Sequence, residues 1–323
     1  MCTAITQLTH DFYFGRTLDL DDPDDGQIVI TPRSLPLFFR YVRPLFRHHA
    51  IIGMAQVMSG YPLYYDAMND RGLCMAGLDF TGWAHYGCGN GPDQVCHFEL
   101  IPWLLGQCAT VEEARELLEK IHLTEDGFRQ DLKPAELHWL IADRTHALTV
   151  EATGEGIRVY SNPAGVLTNN PPFDQMMFSL NRYLNLTSQE PENRFSPVLD
   201  LKPTSHGMGA MGLPGDLSSQ SRFVRAAFTK LNSVCGETEE ESVAQFFHMM
   251  GAVSQTRGVS VTEEGKYERT VYTSCCNADR GIYYYTTYEN PQITAIDLRH
   301  VDLDGRELIC YPRINRLEFH RQN

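Results

Sequence analysis

Cys2 has the clearest chemical potential in this sequence, and its position matters more than its neighbours. If Met1 is removed after translation, Cys2 carries both a thiol and a free α-amine. A terminal amine has a pKa of about 7.7–8.0, so a substantial minority is neutral at pH 7 and accepts the thiol proton directly or through a water. Nucleophile and base then share one residue, as in N-terminal nucleophile hydrolases. A cysteine at position 2 also arises by chance, so this hypothesis needs partner residues elsewhere.

Segments distributed along the whole chain supply such partners, in an order typical of one enzyme family. They are Met1-Cys-Thr-Ala-Ile5, Phe14-Gly-Arg-Thr-Leu-Asp19, Tyr61-Pro62, Asp66-Ala-Met-Asn69, Gly72-Leu-Cys-Met-Ala-Gly-Leu78, Leu137-His-Trp139, Gly165-Val-Leu-Thr-Asn169, Gly212-Leu-Pro-Gly-Asp216, Ser221-Arg-Phe223 and Tyr272-Thr-Ser-Cys275. On these residues the sequence resembles the choloylglycine hydrolase family, which comprises bile salt hydrolases and penicillin V acylases. The resemblance implies a single domain over 2–323 with Met1 removed, and a homotetramer. It also implies an α+β fold, a four-layer αββα sandwich of two antiparallel sheets flanked by helices.

The resemblance assigns roles to the nucleophile and to three residues around it. Cys2 attacks the substrate, and Arg16 lies near its sulfur, where a fixed positive charge favours the thiolate. Asp19 hydrogen-bonds the α-amine and holds it in position; from the residues alone it would be an acidic turn residue. Arg222 completes the polar network, and its alternative is a helix arginine paired with an acid.

The oxyanion site implied by the resemblance combines a side chain with a backbone group. Asn169 donates a carboxamide N–H to the developing charge, and loss of such a donor costs about 3 kcal/mol of transition-state stabilisation. The backbone N–H of Asp79 is the second donor. Bile salt hydrolases usually have Asn at this position and penicillin V acylases usually Tyr, so Asp79 matches neither. An ionised carboxylate near the oxyanion is repulsive unless it is paired with an arginine or turned away.

Substrate recognition is assigned to an apolar pocket and one loop, again by resemblance. The pocket residues are Leu18, Met58, Tyr65, Phe128 and Leu132. Each of these alone is more often plain core. Ser205-His206-Gly207 resembles a loop associated with the choice between glycine and taurine conjugates and favours taurine, although His206, largely neutral at pH 7, replaces an arginine.

Three functions stay open at this point. The leading one is hydrolysis of glycine- or taurine-conjugated bile salts through a Cys2 thioester, with acyl transfer to another amine as a side reaction. The second is penicillin V acylase activity on a phenoxyacetyl amide. The third is a catalytically silent protein that binds amphiphiles.

Short β-rich runs at both ends of the chain and helical patterns between them must position these residues. The predicted strands are 3–6, 12–16, 27–32, 73–80, 137–142, 148–151, 157–160, 166–168, 270–275, 282–288 and 293–298. The predicted helices are 98–105, 111–121, 173–186, 219–231 and 239–253, with capping boxes at Thr110/Glu113 and Thr238/Glu241. Since strands and helices do not alternate as βαβ units, a layered α+β domain is favoured over a doubly wound sheet.

Composition excludes several classes of function. Lys and Arg number 27 against 41 Asp and Glu, a net charge of −14 that argues against nucleic acid as a partner. No apolar run approaches the roughly 20 residues of a membrane helix, and the N-terminus is not a secretory signal, so we expect a cytoplasmic protein. The family resemblance implies a bacterial one. The 9 cysteines are predicted to be reduced thiols. Neither a metal nor a cofactor is expected: the GxGxxG match at 207–212 lacks a strand and helix around it, and the acidic run at 21–26 fails the calcium-loop spacing.

Overall fold

The computed structural model describes residues 1–21, 25–89 and 91–323. The middle of the acidic run at 21–26 lies outside the described residues. The strands are β1 Cys2–Leu8, β2 Phe12–Leu20, β3 Gln27–Thr31, β4 Ile51–Met58, β5 Tyr61–Asn69, β6 Cys74–Asp79, β7 Gln94–Cys96, β8 His122–Thr124, β9 Leu137–Ala142, β10 Ala147–Thr153, β11 Gly156–Ser161, β12 Val166–Leu167, β13 Arg269–Asn277, β14 Ile282–Thr287, β15 Thr294–Asp297 and β16 Ile309–Tyr311. The α-helices are α1 Leu100–Gln107, α2 Val111–Leu118, α3 Phe173–Ser179, α4 Ser219–Asn232 and α5 Glu239–Gly251.

Two large antiparallel sheets organise the molecule. The six-stranded sheet has the order β12-β1-β2-β13-β14-β15, and the eight-stranded sheet has the order β11-β10-β9-β6-β5-β4-β3-β16. β1, β2 and β13, in the middle of the first sheet, are buried along almost their whole length. Continuous burial is expected where both faces of a strand are covered. The N-terminal residues therefore lie at the centre of the fold.

The two sheets face each other, and helices cover their outer faces. Phe14, Met54 and Leu140 belong to the core between the sheets, which continues beneath α3, α4 and α5 through residues such as Phe223. A second core lies between the other face of the eight-stranded sheet and α1 and α2, where Leu104 is buried. The four layers are αββα, as the resemblance to the choloylglycine hydrolase family implies.

The predicted helices 98–105, 111–121, 219–231 and 239–253 are present with small differences at their ends. The helix predicted over 173–186 is too long, because α3 ends at Ser179 and a 3₁₀ turn, Leu180–Tyr183, follows. Thr238 and Glu241 form the predicted capping box. Thr110 caps α2, but Glu113 accepts from the Ala109 N–H instead of completing the box.

All predicted strands are present, but the sequence patterns do not predict β4, β5, β7, β8 or β16. β4 and β5 are long neighbours inside the eight-stranded sheet. Gly53 of β4 is required there, since a Cβ on it would lie 2.0 Å from the Asp66 carbonyl oxygen. Gly53 and Asp66 lower the β propensity of these two segments. The absence of a side chain at Gly53 nevertheless allows β4 and β5 to lie close together.

Candidate active site

Cys2, the first residue of β1, lines a cavity of about 520 Å³ and is 4 % exposed. Of the residues predicted for the site, the cavity brings together Cys2, Arg16, Leu18, Tyr65, Asp79, Phe128 and Leu132. Apolar side chains that the sequence did not single out complete the wall, among them Leu20, Leu63, Phe98, Ile101, Leu137 and Trp139. The volume is within the range of about 300–1,000 Å³ that small-molecule sites occupy. The nucleophile candidate thus faces a largely apolar chamber.

A gap in the eight-stranded sheet lets the cavity extend from Cys2 to the helix-covered side. β5 and β6 pair only over residues 66–68 and 74–76, although both strands continue beyond Asp66 and Ala76. A register shift in the β4–β5 ladder makes Tyr65 an extra residue, a β-bulge, at the point of separation. The carbonyls of Tyr65 and Gly77 accept hydrogen bonds from Arg16 Nη1 at 3.2 and 2.5 Å.

Arg16 is a buried cation on the same sheet face as Cys2. In the β1–β2 ladder Cys2 pairs with Leu18 and Ala4 with Arg16, so Cys2 and Arg16 are diagonal neighbours. Burial lowers the pKa of Arg16, but the negative charge of a Cys2 thiolate and of nearby acidic groups, Asp66 among them, outweighs burial and raises the pKa overall. Arg16 Nη2 is buried with no hydrogen-bond partner among the described residues. The structure therefore holds a permanent positive charge beside the thiol.

Hydrogen bonds at both ends of its carboxamide orient the Asn169 side chain. Its Oδ1 accepts from the Cys2 N–H at 2.9 Å and from Arg222 Nη2 at 2.7 Å. Its Nδ2 donates to the Asp79 carbonyl at 2.8 Å. Because Arg222 only donates and a carbonyl only accepts, the amide has one orientation, and one of its two N–H bonds remains for a ligand.

The backbone of Asp79 presents its N–H to the same region. Phe80 N–H donates to the Glu136 carbonyl across the β6–β9 ladder at 2.7 Å. Alternation in an antiparallel ladder then directs the backbone groups of Asp79 away from β9, towards Asn169. The Asp79 carboxylate accepts from Thr81 Oγ1 at 2.5 Å and forms no ion pair with an arginine among the residues that the structure describes. Thr81 therefore holds the Asp79 carboxylate at the end of β6.

Arg222 reaches the nucleophile from the first turn of α4. It is fully buried, donates through Nη1 to the Cys2 carbonyl and to Thr3 Oγ1, and donates through Nε to the Leu217 carbonyl at 2.9 Å. Burial lowers the pKa of Arg222, against the opposing charge of Asp19. The start of α4 is set by Ser218, whose side chain caps the helix. The segment 212–223 thus positions Arg222 through a helix cap.

The N-terminal amine is held by two acceptors. The Met1 ammonium donates to the Asp19 backbone carbonyl at 2.7 Å and pairs with Glu268 Oε1 at 2.9 Å. Burial lowers the pKa of the amine, but the negative charges of Cys2, Asp19 and Glu268 raise it overall. With Met1 present, the Asp19 carboxylate does not contact the amine; its Oδ1 accepts from Thr270 Oγ1 at 2.7 Å. Its predicted role in holding the α-amine of Cys2 stays a prediction.

Two predicted substrate residues lie elsewhere, and two further polar residues lie near the site. Met58, the last residue of β4, is not among the described residues that line the cavity, and neither is the exposed His206, which pairs with Glu190 at 2.7 Å. Sequence reasoning misses Glu268, which no local signal marks. It also misses Asp66, which accepts from Tyr272 and Tyr283 and whose pKa burial raises. The position of Asp66 within a family segment is the signal that could have identified it.

Neither a metal cluster nor a membrane-spanning helix is found in the described part of the chain. No three His, Cys, Asp or Glu side chains there are grouped so that they could hold a metal ion. None of the described helices combines the length and apolar character needed to cross a bilayer.

Comparisons with known proteins agree with this geometry. A family model described as linear amide C–N hydrolases, choloylglycine hydrolase family, matches residues 2–311. The chain is 49% identical to a bile salt hydrolase/transferase of Lactiplantibacillus plantarum over 100% of both chains. It matches the crystal structure of a conjugated bile acid hydrolase variant from Clostridium perfringens with a TM-score of 0.91, at 32% identity and 100% coverage of both chains. A penicillin V acylase from Agrobacterium tumefaciens shares the fold, with a TM-score of 0.74 at 20% identity over 95% of this chain and 90% of that one.

Proposed function

Since the chain belongs to the choloylglycine hydrolase family of linear amide C–N hydrolases, we propose that it hydrolyses the amide bond of bile salts conjugated to glycine or taurine. The observation that carries this proposal is the placement of Cys2 in the wall of a largely apolar cavity, beside a preorganised Asn169. The full-length similarity to a bile salt hydrolase/transferase supports the substrate class.

Removal of Met1 is the first step we propose, because the Met1–Cys2 peptide bond makes the Cys2 nitrogen an amide without basic character. The freed α-amine of Cys2 would keep the position that its nitrogen has now, donating to Asn169 Oδ1. Its lone pair is then available for the thiol proton. Met1 also lines the cavity, so its removal enlarges the space in front of the sulfur.

The reaction follows from the placement of these groups. The Cys2 sulfur attacks the amide carbon beside the charge of Arg16, and the carbonyl oxygen becomes an oxyanion that accepts from Asn169 Nδ2 and from the Asp79 N–H. The α-ammonium passes its proton to the leaving nitrogen, the C–N bond breaks, and a thioester remains. A water molecule then attacks the thioester, the amine takes its proton, and the bile acid leaves with the thiol restored. Attack by an amine instead of water gives acyl transfer.

In this proposal the acyl group occupies the apolar part of the cavity. Leu18, Tyr65, Phe128 and Leu132 line it, and the Phe128 ring packs edge-to-face on Phe98 at 5.4 Å. Aromatic and aliphatic walls of this kind match the apolar surface of a sterol. The roles of Met58 and His206, including the preference for taurine, stay predictions.

Product analysis in a single mixture tests the proposed function. We expect the protein with Cys2 at its terminus to release taurine and glycine from equimolar taurocholate and glycocholate, with little phenoxyacetate from penicillin V in the same tube. Mass spectrometry of taurine, glycine and phenoxyacetate measures this, with heat-inactivated protein as control. Dominant phenoxyacetate would replace the proposal with the acylase, and absence of all products would favour the amphiphile-binding protein.

We further propose that residues 2–323 form one domain and that four such chains assemble in the cytoplasm. Strongly exposed apolar side chains in the segment 184–211 support an assembly surface: Leu184, Phe195, Val198 and Met211. Monomeric proteins rarely expose large apolar patches.

Val198→Asp is expected to reduce the assembly to smaller species, because it places a charge in this surface. Light scattering coupled to size-exclusion chromatography measures the mass. Val198 and Val234 are 88% and 86% exposed, so Val234→Asp is a matched control outside the segment, expected to keep the wild-type mass. Equal masses for both variants would contradict the assignment of the surface.

A further inference from the structure

We propose that His138, held by Glu151, is a positioning residue that sets the relative placement of the two oxyanion donors, Asn169 and Asp79. The inference rests on the proposed amide hydrolysis, but it concerns two residues outside the cavity wall. Both His138 and Glu151 are fully buried, on the adjacent strands β9 and β10.

His138 makes one hydrogen bond at each ring nitrogen. Nε2 lies 2.8 Å from the Thr168 carbonyl, and Nδ1 lies 3.2 Å from Glu151 Oε1. A carbonyl only accepts, so Nε2 carries a hydrogen. The same Glu151 oxygen also accepts from the Phe173 N–H at 2.9 Å. A proton must therefore lie between Nδ1 and Oε1, whichever atom carries it, and this bond fixes the ring.

The ring contacts the chain immediately beside each oxyanion donor. Thr168 precedes Asn169, so the bond from Nε2 fixes the peptide unit that carries Asn169. On the other side, the His138 ring stacks on Phe80, with centroids 4.4 Å apart and planes inclined by 10°. Phe80 follows Asp79, the second donor. A displacement of one imidazole would thus move both donors.

A second set of hydrogen bonds attaches Thr168 and Asn169 to Ser219 of α4. The Asn169 N–H donates to Ser219 Oγ at 2.9 Å, and Thr168 Oγ1 donates to the Ser219 carbonyl at 3.1 Å. These contacts attach one edge of the segment to α4, and His138 attaches the other edge to the eight-stranded sheet. Since His138 is not among the described residues that line the cavity, it would act through Asn169 and Asp79 and not on the substrate.

A double-mutant cycle with taurocholate and penicillin V as substrates tests this inference. We expect His138→Ala to lower kcat about 10- to 100-fold, because displacement of a donor by about 1 Å costs up to about 100-fold, with KM changed less than about twofold. In the Asn169→Ala background the same substitution should lower kcat by a clearly smaller factor, because only the Asp79 donor is left to be displaced and residues that act as a unit are not additive. Equal losses in both backgrounds would overturn the proposal.

Two substitutions of Glu151 separate positioning from general loss of packing. In Glu151→Gln a single amide atom takes the place of the oxygen that serves both partners, so the variant keeps only one of the bonds to Nδ1 and to the Phe173 N–H. We therefore expect a kcat between that of the wild type and that of Glu151→Leu. Glu151→Leu removes both bonds and should lower kcat as His138→Ala does. If Gln and Leu have the same effect, the hydrogen bond from Glu151 has no part in positioning.

His48 offers a matched control for the loss of a buried histidine. Its ring nitrogens lie 2.6 and 2.7 Å from the carbonyls of His49 and Leu35, and it does not line the cavity. We expect His48→Ala to lower Tm while leaving kcat at temperatures well below Tm unchanged. A fall in Tm alone for His138→Ala would assign it the same structural role and overturn positioning.

Crystal structures provide a readout that does not depend on the substrate. The distance from Asn169 Nδ2 to the Asp79 carbonyl, 2.8 Å in the wild-type chain, should increase in His138→Ala and should increase less in Glu151→Gln. Absence of taurocholate turnover by the wild-type protein would contradict the proposed substrate. An unchanged distance in His138→Ala would instead contradict the role of His138.

Discussion

Replacing Cys2 with alanine is expected to lower the kcat for taurocholate by at least about 10⁴-fold, the scale seen when a covalent nucleophile is removed. The side chain is small and makes no hydrogen bond with the described part of the chain, where Cys2 bonds through its backbone, so Tm should change little. Cys2→Ser should leave a small residual activity, because a hydroxyl ionises far less readily than a thiol. Intact-protein mass spectrometry of quenched reactions should show the acyl adduct in the wild-type chain and not in Cys2→Ala.

Other cysteines provide the controls for this experiment. Burial raises the pKa of Cys275 and Cys276 well above that of an ordinary thiol, so neither is a nucleophile. Cys88 is exposed, and its thiol donates a hydrogen bond to Glu125, which raises the pKa of the thiol. Cys88→Ala should therefore retain wild-type turnover. Loss of activity in Cys88→Ala, or retained activity in Cys2→Ala, would contradict Cys2 as the nucleophile.

The reactive residues of the site could be predicted from the sequence better than the backbone geometry that positions them. Cys2 could be recognised because its reactivity depends on chain position, and Asn169 because it lies in a family segment. The contacts of the Arg16 side chain could not be predicted, since they depend on a β-bulge at Tyr65 and on the early separation of β5 from β6. That separation is a tertiary property, which hydrophobic periodicity does not report.

Long-range contacts explain the other differences. In the chain with Met1, the Asp19 carboxylate contacts Thr270 and its backbone carbonyl contacts the Met1 ammonium. The contact of the carboxylate with the α-amine of Cys2 stays a prediction. β5 escaped prediction because Pro62 and the buried Asp66 resemble turn residues, although Asp66 is stabilised by two tyrosine hydroxyls from the facing sheet. Partners 200 residues away in sequence leave no local pattern.

Keeping a residue in front of Cys2 is expected to lower turnover by about 10²- to 10⁴-fold, the usual contribution of a general base. A removable N-terminal extension ending directly before Cys2 gives the same polypeptide with and without a free α-amine. The extended form should fold and show little taurocholate hydrolysis, and proteolytic removal should restore it in the same sample. Intact mass confirms the terminus, and hydrolysis rates before and after cleavage give the ratio.

The physical reason lies in the contacts of the first two residues. In the chain with Met1 the Cys2 nitrogen is an amide that donates to Asn169, and the α-amine belongs to Met1, where it is paired with Glu268 at 2.9 Å and with the Asp19 carbonyl. That ammonium cannot accept a proton, and Met1 occupies part of the cavity. An equally long extension at the C-terminus is the control, expected to leave the rate unchanged. Equal rates for the blocked and free N-terminus would show that the α-amine is not the base, and the proton would then need another acceptor in the cavity.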